Sequence, residues 1–172
     1  MTLGLRAAIL TAYLGFSGAA GAQQANPLDV IPDKMPFNIP YGAPISLSRA
    51  QAAVAATTAE AEKHGWALNV AVVDSGANLV AFGRMDGAQL GSIAVSEHKA
   101  RTAAKFRRAT KVFEEAVQKG NNYPLAIDDV IVVRGGIPLV EDGKLIGAIG
   151  CSGGAGSQDE AACMVGAATI NK

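Results

Sequence analysis

The feature that most constrains this chain is its excess of small side chains. The 172 residues include 33 alanines and 20 glycines but only nine aromatic residues. Apolar residues reach 49%, so the chain can bury a core and is not disordered. That core must close through direct contact between elements rather than through bulky side chains. A wide internal cavity is therefore not expected, and a ligand is expected at a shallow or intersubunit site. Lys plus Arg and Asp plus Glu are both 15, so no basic excess points to nucleic acid.

Residues 1–22 read as a signal peptide. Arg6 is the only early charge, an apolar stretch runs from Ala7 to Phe16, and Ala20-Gly21-Ala22 supplies an A-x-A cleavage pattern. The apolar run is too short for a membrane span, which needs roughly 20 residues, and no later stretch is long and apolar enough to span a bilayer. A periplasmic or secreted protein of 150 residues is expected after cleavage, with net charge −1. In such a compartment Cys151 and Cys163 have three readings: a disulfide, two small buried residues, or thiolate ligands to a metal or haem.

Residues 23–46 form a proline-rich arm carrying five of the seven prolines. Proline lacks a backbone donor and fixes φ, so regular helix or central strand is excluded. Val30, Ile31, Met35, Phe37, Ile39 and Tyr41 are too apolar for a free linker, and the arm is expected to lie on a surface. Residues 47–172 carry the domain. Ser48 to His64 reads as a helix with a Ser48/Gln51 capping box and a Gly65 stop. Leu68–Val73 and Leu79–Arg84 read as a hairpin around Asp74-Ser75-Gly76-Ala77-Asn78. Helices follow over Ser92–Arg108 and Lys111–Lys119. Val130–Val133 reads as a strand. Ile137–Val140 and Lys144–Ile149 pair around Asp142-Gly143, a strong hairpin signal. A last helix starts at a Ser157/Glu160 box. The order αββααβββα gives an α/β fold with an antiparallel five-stranded sheet flanked by helices.

Few motifs carry chemistry. Gly150-Cys151-Ser152-Gly153-Gly154 fits a nucleophile elbow, but no histidine follows Ser152 to complete a triad, and a hairpin precedes it. The Gly153–Gly156 loop has no G-K-[ST], and Asp159 and Glu160 at the next helix start would repel a phosphate. No catalytic motif emerges, so binding is favoured over catalysis. Of two histidines, His64 suits a helix C-terminus. His98 lacks chelate spacing for zinc, but one histidine suffices as an axial haem ligand. The alternative is a surface or capping role. Lys99, Arg101, Lys105, Arg107, Arg108 and Lys111 form a basic run. It reads either as a solvated helix face or as a cationic rim for haem propionates or a small organic acid. Thr102 shares a helix face with His98. Arg84 and Asp86 end a strand. Either they pair across the turn, or with Asp74 they line a cleft near His98 or Lys99 in which Arg84 clamps a carboxylate.

Together these segments resemble the GlcG/HbpS family of haem-binding-protein-like domains, also found as the C-terminal part of some cobalamin adenosyltransferases. The matching residues are Asn69-Val70-Ala71-Val72-Val73-Asp74-Ser75-Gly76, Leu79-Val80-Ala81-Phe82 and Arg84-Met85-Asp86-Gly87-Ala88. They continue through Lys99-Ala100-Arg101-Thr102-Ala103 and Arg134-Gly135-Gly136-Ile137-Pro138-Leu139. They close with Gly147-Ala148-Ile149-Gly150, Ser152-Gly153-Gly154 and Gln158-Asp159-Glu160. The resemblance implies a profilin-like fold, homo-oligomers from dimer to octamer, and haem or a related tetrapyrrole as ligand. On that basis His98 is expected to bind haem iron, with Lys99, Arg101, Thr102 and Lys105 around the cofactor. The competing expectation is an enzyme or sensor for a small organic hydroxy acid held by Asp74, Arg84 and Asp86.

Overall fold

The computed structural model describes residues 30–35 and 37–171. The signal peptide expected over 1–22 and arm residues 23–29 lie outside them. Two units are present, 1–34 and 35–172. In the first, the described residues Val30–Lys34 are irregular. The second is the folded domain. Its elements are α1 (Leu47–Lys63), β1 (Asn69–Asp74), β2 (Leu79–Arg84), α2 (Gly91–Phe106) and α3 (Lys111–Gln118). A 3-10 turn (Tyr123–Ala126), β3 (Gly136–Glu141), β4 (Lys144–Ser152) and α4 (Gly156–Ala168) follow.

The strands form a four-stranded sheet in the order β2-β1-β4-β3, antiparallel throughout. Both turns follow from their sequences. The Asp74 carboxylate accepts the backbone N–H groups of Gly76 and Asn78 at 2.8 and 2.9 Å. Asp142 and Gly143 both take positive φ, 48° and 71°, as a two-residue hairpin of this kind requires.

The expected fifth strand is not formed. Val130–Val133 is irregular, although its β-branched composition suits a strand. Its polar groups are met elsewhere: the Ile131 N–H donates to the Thr102 hydroxyl at 3.1 Å, and that hydroxyl donates to the Asp129 carbonyl at 2.8 Å. β4 already has β1 on one side and β3 on the other. Neither expected capping box forms. α1 starts earlier, after Ser46, so Ser48 falls inside the helix. α4 starts at Gly156, where the Gln158 side chain accepts the Ala155 N–H at 2.8 Å. Glu160 instead faces Lys111 and Arg134.

The sheet is covered on both faces. Along β1, Val70 and Val72 join the apolar cluster of α1 and α4. Ala71 and Val73 join the cluster that includes Ala100, Ala103 and Ala104 of α2. Both layers close through small residues. A Cβ on Gly150 would strike the Ser96 carbonyl and stand 2.5 Å from the Ala100 nitrogen, so α2 rests on the β4 backbone. A Cβ on Gly166 would strike the Thr57 hydroxyl and lie 2.7 Å from the Ala53 carbonyl, so α4 crosses α1 at the same close range.

The described arm residues of this unit are docked on it. Beyond the end of β1, residues 40–45 take its place beside β4. Pro40 O accepts the Leu145 N–H at 2.8 Å, and Gly42 and Ile45 donate to Leu145 and Ile146. Arg107 donates to the Ile39 carbonyl at 3.0 Å, and Tyr41 to the Lys105 carbonyl at 2.7 Å. The Arg108 guanidinium stacks over the Phe37 ring at 3.0 Å and lies 5.1 Å from the Phe113 ring centre. Burial and neighbouring Arg107 lower the Arg108 pKa from the usual arginine range.

Gly150→Ala is expected to destabilise the domain by about 1–3 kcal/mol through overpacking. Gly91→Ala, where an added Cβ meets nothing within 4 Å, is expected to be near neutral. Urea unfolding midpoints of the two variants check the contrast.

Candidate functional site

Helix α2 carries His98, Lys99, Arg101, Thr102 and Lys105, but the fold divides them between its outer face and the interior. His98 is half-buried, and its imidazole forms no hydrogen bond among the described residues. Asp129 is its charged neighbour. Arg101 donates to Glu97 at 2.6 Å, and Lys105 to Asp129 at 2.6 Å. Both pairs are partly exposed. Such pairs are worth about 0–1 kcal/mol and exchange partners at little cost. The Lys105 hydrogen bond and charge hold the Asp129 carboxyl below the ordinary aspartate range.

Lys99 does not stand on this rim. Its side chain is 1% exposed, and its ammonium donates to the Asp159 carboxylate at 2.7 Å and to the Cys151 carbonyl at 2.8 Å. The second Asp159 oxygen accepts the Gly154 N–H at 3.0 Å. Thr102 is also interior, bridging Asp129 and Ile131 as described above. Neither residue is free to meet a ligand on the helix surface. Arg107 and Arg108 are occupied by the arm. The basic run is thus neither a bare solvated face nor a continuous cationic rim.

Cys151 and Cys163 form a disulfide with Cα atoms 5.8 Å apart, joining β4 to α4. Both residues are fully buried, which removes the thiolate-ligand reading. Closing a loop of this length contributes about 3 kcal/mol. Among the described residues no group of three or more His, Cys, Asp or Glu is placed to chelate an ion. A haem iron needs only an axial side chain, because the macrocycle supplies the other nitrogens.

The expected carboxylate clamp comes apart. Arg84 pairs in register with Asn69 at one end of β1, while Asp74 lies at the other end. Six residues of strand separate those ends by roughly 17 Å. Asp74 is spent on its own turn. Arg84 and Asp86 do share an open cleft of 480 Å³, but its other lining residues are Thr58, Glu62, Gly83 and Met85. Thr58 and Glu62 belong to α1, so the cleft excludes His98 and Lys99. Two carboxylates against one guanidinium disfavour a simple acid there.

An ion network absent from the sequence reading surrounds the start of α4. Arg134 contacts both oxygens of Glu114 at 3.0 and 2.9 Å, and its backbone N–H donates to Glu114 at 2.7 Å. Glu160 receives Arg134 at 3.5 Å and Lys111 at 3.6 Å. Burial pushes the Glu114 carboxyl up, but the Arg134 hydrogen bonds and charge outweigh it, and the net pKa is lowered. The only sequence signal was the acidic start of α4. Asp129, Asp159 and Glu114 lie 20 or more residues from their partners, beyond any local pattern.

Residues 45–168 match the family model described as haem degrading protein HbpS-like. The chain belongs to the HbpS-like family. It is 41% identical to the GlcG protein of Escherichia coli K12 over 108 residues, 63% of this chain and 81% of that protein. Among solved structures it resembles an HbpS double mutant of Streptomyces reticuli, with a TM-score of 0.70 and 27% identity, covering 82% of this chain and 100% of that one. It also resembles PduOC in a complex with haem, with a TM-score of 0.68 and 29% identity, covering 75% and 96% respectively. The GlcG/HbpS resemblance read from the sequence is therefore correct.

The lowered Glu114 pKa sets a pH dependence. The folded pKa lies below the unfolded one, so the network's contribution is complete above the usual glutamate range. It is lost as pH falls through the depressed folded value. Urea midpoints measured between about pH 3 and pH 7 should fall on the acid side. Glu114→Gln should start lower at neutral pH and flatten that decline.

Proposed function

We propose that this protein binds haem or a related tetrapyrrole on the outer face of α2, as an exported homo-oligomer that sequesters or senses the ligand. The observation that carries this reading is His98, a half-buried imidazole without a hydrogen-bond partner among the described residues. Arg101 stands one helical turn from it and Lys105 two turns, both in exchangeable surface pairs. Haem would supply the iron and the apolar macrocycle. His98 would offer a ring nitrogen to the metal, while Arg101 and Lys105 would move from Glu97 and Asp129 to the propionates. Lys99 and Thr102 support the site from beneath by fixing α2 and the 129–131 segment.

The HbpS-like family and the likeness to a haem-bound PduOC structure support this ligand class. The disulfide supports an oxidising compartment, in line with periplasmic or secreted localisation. No helix among the described residues is long and apolar enough to cross a membrane. Self-association is supported by the edge strand β2, which exposes Leu79 and Phe82. No catalytic step is assigned.

Hemin titration followed in the Soret band tests the reading. The wild-type protein should give a saturable spectral shift. His98→Ala should change the bound spectrum and weaken binding. Arg101→Ala and Lys105→Ala should each weaken it by up to about fivefold, the equivalent of an exposed ion pair. No saturable shift in the wild type refutes haem binding. An unchanged spectrum and affinity for His98→Ala refutes the axial assignment alone.

A further inference from the structure

The α1 side of the molecule holds the cleft of Arg84 and Asp86, distinct from the His98 face. An adjoining hollow of 260 Å³ shares Glu62, Met85 and Asp86 with it and adds Trp66. Glu62, Arg84 and Asp86 form no side-chain ion pair or hydrogen bond among the described residues, unlike Arg101, Lys105, Lys111 and Arg134. The walls between these charges are fixed. Trp66 stacks on His64 with ring centroids 4.4 Å apart, and the Met85 sulfur accepts the Leu68 N–H at 3.4 Å. The larger cleft, 480 Å³, falls within the size range of small-molecule sites.

We propose that this cleft binds a free amino acid with a cationic side chain, of the lysine or arginine type. Its α-carboxylate meets Arg84. Its α-ammonium and side-chain cation meet Glu62 and Asp86. Its aliphatic stem lies against Met85 and Trp66, where the indole face also favours a cation. The lining carries two negative charges and one positive charge, and such a ligand carries the complement. A plain carboxylate leaves both acids unmatched, a diamine leaves Arg84 unmatched, and a neutral amino acid leaves one acid unmatched.

Trp66 is the only tryptophan in the chain, so its fluorescence reports on the site directly. The protein is titrated at low ionic strength with millimolar L-lysine and L-arginine, and in parallel with L-leucine, glutarate and 1,5-diaminopentane. A saturable change is expected with lysine or arginine, with each comparison compound at least about tenfold weaker, a difference of 1.4 kcal/mol. Arg84→Gln should weaken lysine binding by about tenfold or more while diamine binding holds or improves, because a like charge is removed. Glu62→Gln combined with Asp86→Asn should abolish both. All three side chains are exposed, and far-UV circular dichroism confirms that the variants fold. The proposal is overturned if neither lysine nor arginine gives a saturable change, if leucine or glutarate binds as well, or if Arg84→Gln binds lysine normally. Hemin binding by Arg84→Gln is expected to match the wild type, which separates this site from the haem reading.

Discussion

The fold turns on the buried ammonium of Lys99. It joins three elements at one point: its own helix α2, the carbonyl of Cys151 in β4, and the carboxylate of Asp159 in α4. Each partner is fixed in turn. Asp159 accepts the Gly154 N–H, and Cys151 is tied to Cys163 by the disulfide. Two opposite charges buried together gain no great stability over an apolar pair, but each becomes costly once its partner is lost. The junction therefore acts mainly by forbidding alternatives: α2 cannot rotate or slide without stranding a charge. This register presents His98 outward and places Thr102 beneath it.

Around that point the small residues set the distances. Gly136 and Gly150 let α2 lie on strand backbone, and Gly166 does the same for the α1–α4 crossing. At these glycines the layers meet backbone to backbone, with no room for a ligand between them. The proposed sites accordingly fall on surfaces, one on the outer face of α2 and the other beside α1. The arm adds a further constraint. It continues the sheet where β1 ends and occupies Arg107 and Arg108, leaving Arg101 and Lys105 as the α2 cations in exchangeable pairs.

Much of this was legible in the sequence, and the reasons for the rest are physical. Both hairpins were marked by their turn residues, and the helices by alanine content and glycine stops. The ordered segments were enough to place the family. Val130–Val133 misled because strand composition alone does not make a strand, and this segment is tied to the Thr102 side chain of α2 instead of a sheet edge. Lys99 misled because a run of bases on a helix reads as one surface. In fact Ser96, Lys99, Ala100, Thr102, Ala103 and Ala104 are all buried, while Arg101 and Lys105 between them reach the surface. A lysine among small residues on an otherwise apolar stripe was the available clue. Its partner, 60 residues away, was beyond reach. Asp74, Arg84 and Asp86 shared a hairpin in sequence, but strand length set Asp74 apart from the other two.

A double-mutant cycle on Lys99 and Asp159, read by urea unfolding, tests the central claim most directly. Lys99→Met and Asp159→Leu should each cost about 3–5 kcal/mol, because each strands a buried charge. The double variant should be less destabilised than the two singles combined, with a coupling energy of about 2–3 kcal/mol. Strictly additive losses, or single variants as stable as the wild type, would contradict the claim that this junction fixes α2.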